Sequence, residues 1–317
     1  LTADLKLSAE LADNVGLKAV LRNESIQNNG DNDDLFSMQY QTRVYQAYLN
    51  VKDIAGVDAV VGRHNICEKK NALVLQLSSV DAVTLSKKCG PVDVAYISAN
   101  GPDERDDVSA IMLGGKVGPV DAKLARYTVR TPDMSAGAVL DVTLSGKIPV
   151  ACGIDASLEY AQQTGGKDNT TKIESDATAM LVKLGCDGCD LGVGKFTCGL
   201  TILNTSGDKE NSPDKNGYYT GVNPSLKLTE IVSDIAAGAK NDDLTYNTAI
   251  GNCNAMVINL GLAPAAVAGL KLGLAYGTYK LNEKDIAGET KYATEINLTA
   301  GYKASDAVSL SLLLAQM

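Results

Sequence analysis

Leu270-Lys271-Leu272-Gly273-Leu274-Ala275-Tyr276-Gly277 alternates without a break. Leu270, Leu272, Leu274 and Tyr276 fall on one side of an extended chain, and Lys271, Gly273, Ala275 and Gly277 on the other. Successive side chains of a strand point to opposite faces, so this run is a strand with one apolar face and one small or polar face. The next run repeats the pattern, with Tyr292, Ile296, Leu298 and Tyr302 opposing Glu295, Asn297 and Thr299. Tyr292 and Tyr302 stand ten residues apart. At about 3.3 Å per residue and a tilt of about 40°, that separation spans ~25 Å, the height of the apolar band of a membrane barrel.

Outward from this stretch the same period recurs. Leu5, Leu7, Ala9 and Leu11 oppose Lys6, Ser8 and Glu10; Val150, Cys152, Ile154, Ala156, Leu158 and Tyr160 oppose Gly153, Asp155, Ser157 and Glu159. Phe196, Cys198, Leu200 and Ile202 oppose Lys195, Thr197 and Gly199. About sixteen such segments are present, each near the roughly ten residues that a tilted spanning strand needs. Apolar residues at helical spacing are not sustained, except within Leu226 to Ala239. Leu5, Leu7, Ile154, Leu158, Leu200, Leu272, Ile296 and Leu298 are therefore expected to face lipid, and Lys6, Asp155, Lys271 and Glu295 to tolerate exchange.

The connections alternate as well. Short ones, at Ala12-Asp13-Asn14, Ile54-Ala55-Gly56, Gly90-Pro91, Gly118-Pro119, Lys147-Ile148-Pro149, Asp187-Gly188 and Ala304-Ser305-Asp306, carry residues that tight turns demand. Long polar ones run from Asn23 to Met38, Ala99 to Asp107, Gln163 to Thr171 and Thr205 to about Asp243. Short turns at one end and long loops at the other are the pattern of an outer-membrane barrel. The fold expected is all-β: one transmembrane antiparallel β-barrel over residues 1–317. Because the first and last connections are both short, an unseen strand at each end would make about eighteen strands. The alternative is a closed barrel of about sixteen strands with unusual termini.

Composition agrees in most respects. The net charge is −9 over 317 residues, which argues against a nucleic-acid partner, since neutralising phosphates needs clustered Lys and Arg. No apolar run reaches the roughly eighteen residues of a transmembrane helix, and alternation hides the apolar content of a barrel from average hydropathy. Trp is absent and Phe occurs twice, so the aromatic girdles of a barrel would have to come from 13 Tyr.

Charged positions on the polar face are Lys6, Glu10, Lys18, Arg22, Asp121, Lys123, Asp141, Asp155, Glu159, Lys195, Lys271 and Glu295. Facing charges in a pore set ion preference; the plainer reading of each is a polar residue in a wetted lumen. Cys186-Asp187-Gly188-Cys189 with Cys198 invites a metal or redox reading, but zinc needs about four converging ligands and His64 is the single histidine. Asp187-Gly188 reads as a hairpin turn, and Cys152 and Cys198 as small hydrophobes on the apolar face. No metal or cofactor is expected. Asp31, Asn32, Asp33 and Asp34 could hold calcium, although their spacing is not that of an EF-hand, and a solvated loop explains them. A nucleophile triad would need His64 at a strand end, and no glycine loop resembles a phosphate cradle, so an enzyme is not expected. The Leu226-Lys227-Leu228-Thr229-Glu230-Ile231-Val232 run suits either a loop folded into the barrel or contact with a neighbour.

Tyr45-Gln46-Ala47-Tyr48-Leu49-Asn50-Val51-Lys52, a turn, and Val60-Val61-Gly62-Arg63 resemble Gram-negative porins, with Val44 in place of an Arg and His64 in place of a Gln. The repeated Gly90 to Val94 and Gly118 to Ala122 patterns look like porin hairpins too. The resemblance implies a water-filled outer-membrane channel for ions and small hydrophilic solutes, seated in a bilayer with lipopolysaccharide and assembled as a trimer. It also makes Arg63 a pore-lining candidate. Two other classes stay open: a structural barrel that anchors an envelope layer or sheathes an electron-transfer partner, and a soluble β-rich adhesin.

Overall fold

A computed structural model describes residues 2–27, 38–67, 73–100, 107–131, 135–150, 152–167, 173–190, 192–207, 215–222, 226, 228–230, 251–283, 291–305 and 308–317. The acidic Asp31–Asp34 loop lies outside them. The strands are β1 (Thr2–Ala12), β2 (Val15–Gln27), β3 (Met38–Ile54), β4 (Val57–Cys67), β5 (Gln76–Cys89), β6 (Val92–Asn100), β7 (Asp107–Val117), β8 (Val120–Arg130) and β9 (Gly137–Ile148). They continue with β10 (Ile154–Gly165), β11 (Glu174–Asp190), β12 (Gly194–Thr205), β13 (Lys215–Asn216), β14 (Cys253–Pro264), β15 (Leu270–Leu281), β16 (Lys291–Lys303) and β17 (Ser309–Gln316). No helix occurs among the described residues.

Every long strand pairs antiparallel with the next long strand, from β1–β2 to β16–β17. The two-residue β13 adds to β11 in parallel, and β12 pairs with β14 past it. All belong to one 17-stranded sheet. β1 and β17 end this chain of pairings, and no register joins them among the described residues.

Turn chemistry sets the register. Ala55 and Gly56 both have positive φ (53° and 78°), as the type I′ turn of a two-residue hairpin requires. At Gly90-Pro91 and Gly118-Pro119 the glycine is left-handed (φ 62° and 61°) and the following proline is held near −65°, which suits a type II′ turn. Asp187-Gly188 departs from the expected turn. β11 runs on to Asp190, and its register with β12 shifts between Asp187 and Cys189. The pair forms a bulge inside the strand.

The two faces invert the arrangement of a soluble protein. Leu5, Leu7, Leu158, Leu272, Ile296 and Leu298 are exposed, at 40–57% of their surface, and Ile154 and Leu200 are half-buried on the same face. The opposite face carries Ala125, Tyr127, Ala161, Leu181 and Leu203 with no exposure at all. So much aligned apolar surface outside is stable only against hydrocarbon. Tyr96, Tyr160, Tyr276 and Tyr302 stand on that outer face, but Tyr127, Tyr219 and Tyr279 are buried inside. The tyrosines thus serve two environments.

What fills the inside is the chain itself. Leu73, Val74 and Leu75, before β5, are buried, and so is Tyr219. Tyr219 donates its hydroxyl to the Leu73 carbonyl at 3.2 Å, and the Val222 amide donates to the Val74 carbonyl at 3.0 Å. Leu226 and Leu228 pack against the same cluster. The wall behind them is built of small side chains, Ala82, Ala99, Ala110, Ala161, Ala177, Ala179, Ala255 and Ala293. Alanine at an inward position leaves space that an entering segment can fill, and each large apolar side chain buried there contributes about 1.5–3 kcal/mol. Of the two settings open to Leu226–Val232, the described residues occupy the interior.

Candidate functional site

Sheet register sorts the expected pore-facing residues. Lys6 opposes Val20 and Ser8 opposes Lys18, on the face away from Leu5, Leu7 and Leu17. Along β8 to β11, Lys123 opposes Thr143, Thr143 opposes Glu159, and Asp155 opposes Lys147, all on the face of buried Ala125 and Ala161. Lys195, Lys271 and Glu295 follow the same rule through β12, β14, β15 and β16. Inner-face exposure then changes with height. Lys6, Glu10, Lys18, Asp121, Asp155, Lys195 and Lys271, toward the short turns, are exposed; Arg22 and Lys123, farther up, are half-buried. Asp141, Glu159 and Glu295 are buried, at 0%, 2% and 0% exposure. These three are expected in a wetted lumen and are instead buried; over Glu295 the cover is Thr229 and Glu230 of the in-folded segment.

Arg63 is a correction. Its register partners are Ala47 and Asp81, and Val61, two residues earlier, is 43% exposed on the outer face. Gly62, His64 and Ala82 point inward instead. Arg63 therefore shares the apolar outer face, where its guanidinium makes a two-pronged contact with Asp81 at 2.8 and 3.0 Å. The inward residue is His64, buried, with Nδ1 2.9 Å from the Gly62 carbonyl and Nε2 3.2 Å from the Thr84 hydroxyl.

Two polar clusters line the covered zone. On one wall the Lys123 ammonium lies 3.2 Å from the Asp141 carboxylate and donates to the Tyr127 hydroxyl at 3.3 Å. The Thr143 hydroxyl donates to the same carboxylate. Next to them Glu159 attracts Lys183, its diagonal neighbour on β11. On another wall, Glu295 accepts from the Thr229 hydroxyl at 2.6 Å and from the Glu230 amide at 2.9 Å. The Tyr279 hydroxyl also bonds Thr229. Gly277 makes room for this contact: a Cβ there would lie 2.9 Å from the Tyr279 ring and 3.0 Å from the Thr229 methyl. The segment is tied to a third wall by Gln163, whose side-chain oxygen accepts from the amides of Thr220 and Gly221 at 3.1 and 3.0 Å. Residues 219–222 thus touch β10 and the stretch before β5, and residues 229–230 touch β15 and β16, so the described parts of this segment reach well-separated walls of the interior.

Nearer the edge of the sheet, Arg22 grips Asp4 with two hydrogen bonds of 2.8 and 2.9 Å and lies 3.6 Å over the Tyr45 ring. The cysteines also depart from expectation. Cys152 and Cys189 form a disulfide, and Cys186 brings a third sulfur beside it. Cys198 is an exposed free thiol, in keeping with its place on the outer face.

No sequence-family model matches the chain, and no curated protein matches it in sequence. Solved structures do match. The outer membrane protein OpdK of Pseudomonas aeruginosa superposes with a TM-score of 0.65 at 14% identity, covering 99% of this chain and 86% of its own. A BenF-like porin from Pseudomonas fluorescens Pf-5 gives 0.64 at 9% identity, with 99% and 84% covered. OccAB2 of Acinetobacter baumannii gives 0.60 at 12% identity, with the same coverage. The chain has the porin-type outer-membrane β-barrel fold.

Proposed function

We propose that this protein is an outer-membrane diffusion channel for ions and small hydrophilic solutes. The observation that carries the reading is the gradient along the inner face, from exposed charges near the short turns to buried charges farther along, where Thr229 and Glu230 bind Glu295. A wetted, charged vestibule leading to a narrowed zone is the layout of a selective pore. A sheath for an electron-transfer partner would need an interior free for that partner, whereas here the chain's own residues 73–75, 219–222, 226 and 228–230 occupy part of it. Among the structural neighbours, OpdK has been solved with vanillate and OccK2 with glucuronate, both carboxylate-bearing small molecules. Small organic anions are accordingly the solutes we would try first. The outer apolar face fits a bilayer bearing lipopolysaccharide, and assembly as a trimer is proposed from the resemblance to porins.

Reconstitution into a planar bilayer tests the channel. Discrete conductance steps are expected, with asymmetric current when an organic anion replaces chloride on one side. A correctly inserted protein that passes no current would overturn the proposal in favour of an anchoring barrel.

A further inference from the structure

The three sulfurs at the short-turn end are brought together by a backbone irregularity. In a regular strand, residues three apart point to opposite faces. The bulge at Asp187-Gly188 inserts one extra residue, which turns Cys186 and Cys189 to the same side. Ile154, the first residue of β10, pairs with Cys186, so the preceding turn carries Cys152 to the same place. The Cys152 and Cys189 sulfurs are bonded, and the Cys186 sulfur lies 3.0 Å from that of Cys189. All three lie within 4.8 Å of one another. A packing role for Cys186 alone does not call for such an approach to a disulfide.

We propose that this cluster is a thiol–disulfide exchange site. Cys186, as its thiolate, attacks the Cys189 sulfur; the new Cys186–Cys189 bond forms as the Cys152–Cys189 bond breaks. Cys152 leaves as a thiolate and takes up the proton that Cys186 gave to water. No oxidant or reductant is consumed, because one disulfide replaces another. The two states differ in what they present. With Cys152–Cys189 bonded, the free thiol is Cys186, which is 5% exposed. After exchange the free thiol is Cys152, in a position that is exposed. Exchange therefore turns a hidden thiol into one that a thiol–disulfide partner can reach at the short-turn rim, and it releases the tie between that turn and β11.

Cleavage before aspartate separates the three cysteines, since Asp155, Asp187 and Asp190 follow Ile154, Cys186 and Cys189. The folded protein in detergent is held at pH 8, quenched in acid, alkylated and digested. The Asp187–Cys189 fragment is expected in disulfide linkage to both Asp141–Ile154 and Asp176–Cys186. C152S should retain a Cys186–Cys189 disulfide. In C186S, which keeps the Cys152–Cys189 bond, maleimide labelling of Cys152 in the folded barrel should fall about tenfold or more below wild type. Linkage to Asp141–Ile154 alone, with C152S carrying two free thiols at 186 and 189, would overturn the proposal. Equal labelling of Cys152 in wild type and C186S would overturn it too.

Discussion

The Thr229 hydroxyl donates to the Glu295 carboxylate at 2.6 Å, joining the in-folded segment to the wall of β16. Both residues are buried, at 4% and 0% exposure, and the neighbouring Glu230 amide donates to the same carboxylate. A carboxylate hidden from water is costly unless its oxygens are satisfied, so the segment and the wall stabilise each other.

Glu295→Ala should therefore release the segment. Two charge-assisted hydrogen bonds disappear and leave buried donors behind, a loss of about 3 kcal/mol. The expected result is larger, noisier single-channel current and faster proteolysis within residues 216–230, with the barrel still inserted. Thr229→Val should produce a milder version. Unchanged current in both would show that the segment does not control the pore.

Gly277→Leu disturbs the same contact from the same wall, since Gly277 pairs with Glu295 across β15 and β16. A side chain there would meet Tyr279 and Thr229, so the segment must move for the variant to fold. Current is expected to change in the same direction as for Glu295→Ala, while the transition measured by urea unfolding in detergent falls by about 1–3 kcal/mol. Gly301→Ala, at an inner position of the same wall where an added Cβ meets nothing within 4 Å, supplies the control.

Period-two alternation made the strands and their faces legible, because each one-residue step flips a side chain across the sheet. Lys271 and Leu272 needed nothing further. Arg63 was misplaced because a family motif outweighed its own parity: Val61 and Arg63 are two apart and must share a face. Asp187-Gly188 has turn chemistry, and a bulge uses the same residues, so local sequence does not separate the two. The covered interior depends on a contact between segments far apart in the chain, Leu73 with Tyr219. Its sequence trace was the alanines at Ala161, Ala177, Ala179 and Ala255, where a wetted lumen would accept polar residues. For that reason Glu295, expected to tolerate exchange, is among the most constrained inner positions.

Leu298 and Asp141 test the faces energetically. Leu298 is 50% exposed outside, so Leu298→Arg puts a charge into hydrocarbon and should cost about 2–4 kcal/mol in lipid vesicles. Lys123→Met keeps the length of the side chain but leaves the buried Asp141 carboxylate without its cation, a loss of about 3 kcal/mol. Asp141→Asn in the Lys123→Met background should recover part of it. A Lys123→Met loss that the second change leaves untouched would mean that the pair is not coupled.

Ion preference separates the faces in another way, through one charge reversal made on each. Lys271 is exposed on the inner face, and its neighbours Gly273 and Gly301 leave its ammonium open to the vestibule. Arg63 is exposed on the outer face, paired with Asp81. Under a salt gradient, Lys271→Glu should move the reversal potential toward cations, because a lumen charge acts on ions at close range. Arg63→Glu should leave the reversal potential where it was, since the barrel wall lies between it and the permeating ions. Instead it sets a second carboxylate against Asp81, and its effect should be read in stability. The Lys271→Glu shift should shrink as salt rises, the Debye length falling from about 10 Å at 0.1 M to about 3 Å at 1 M. A reversal-potential shift from Arg63→Glu as large as that from Lys271→Glu at low salt would refute the face assignment drawn from the β4–β5 register.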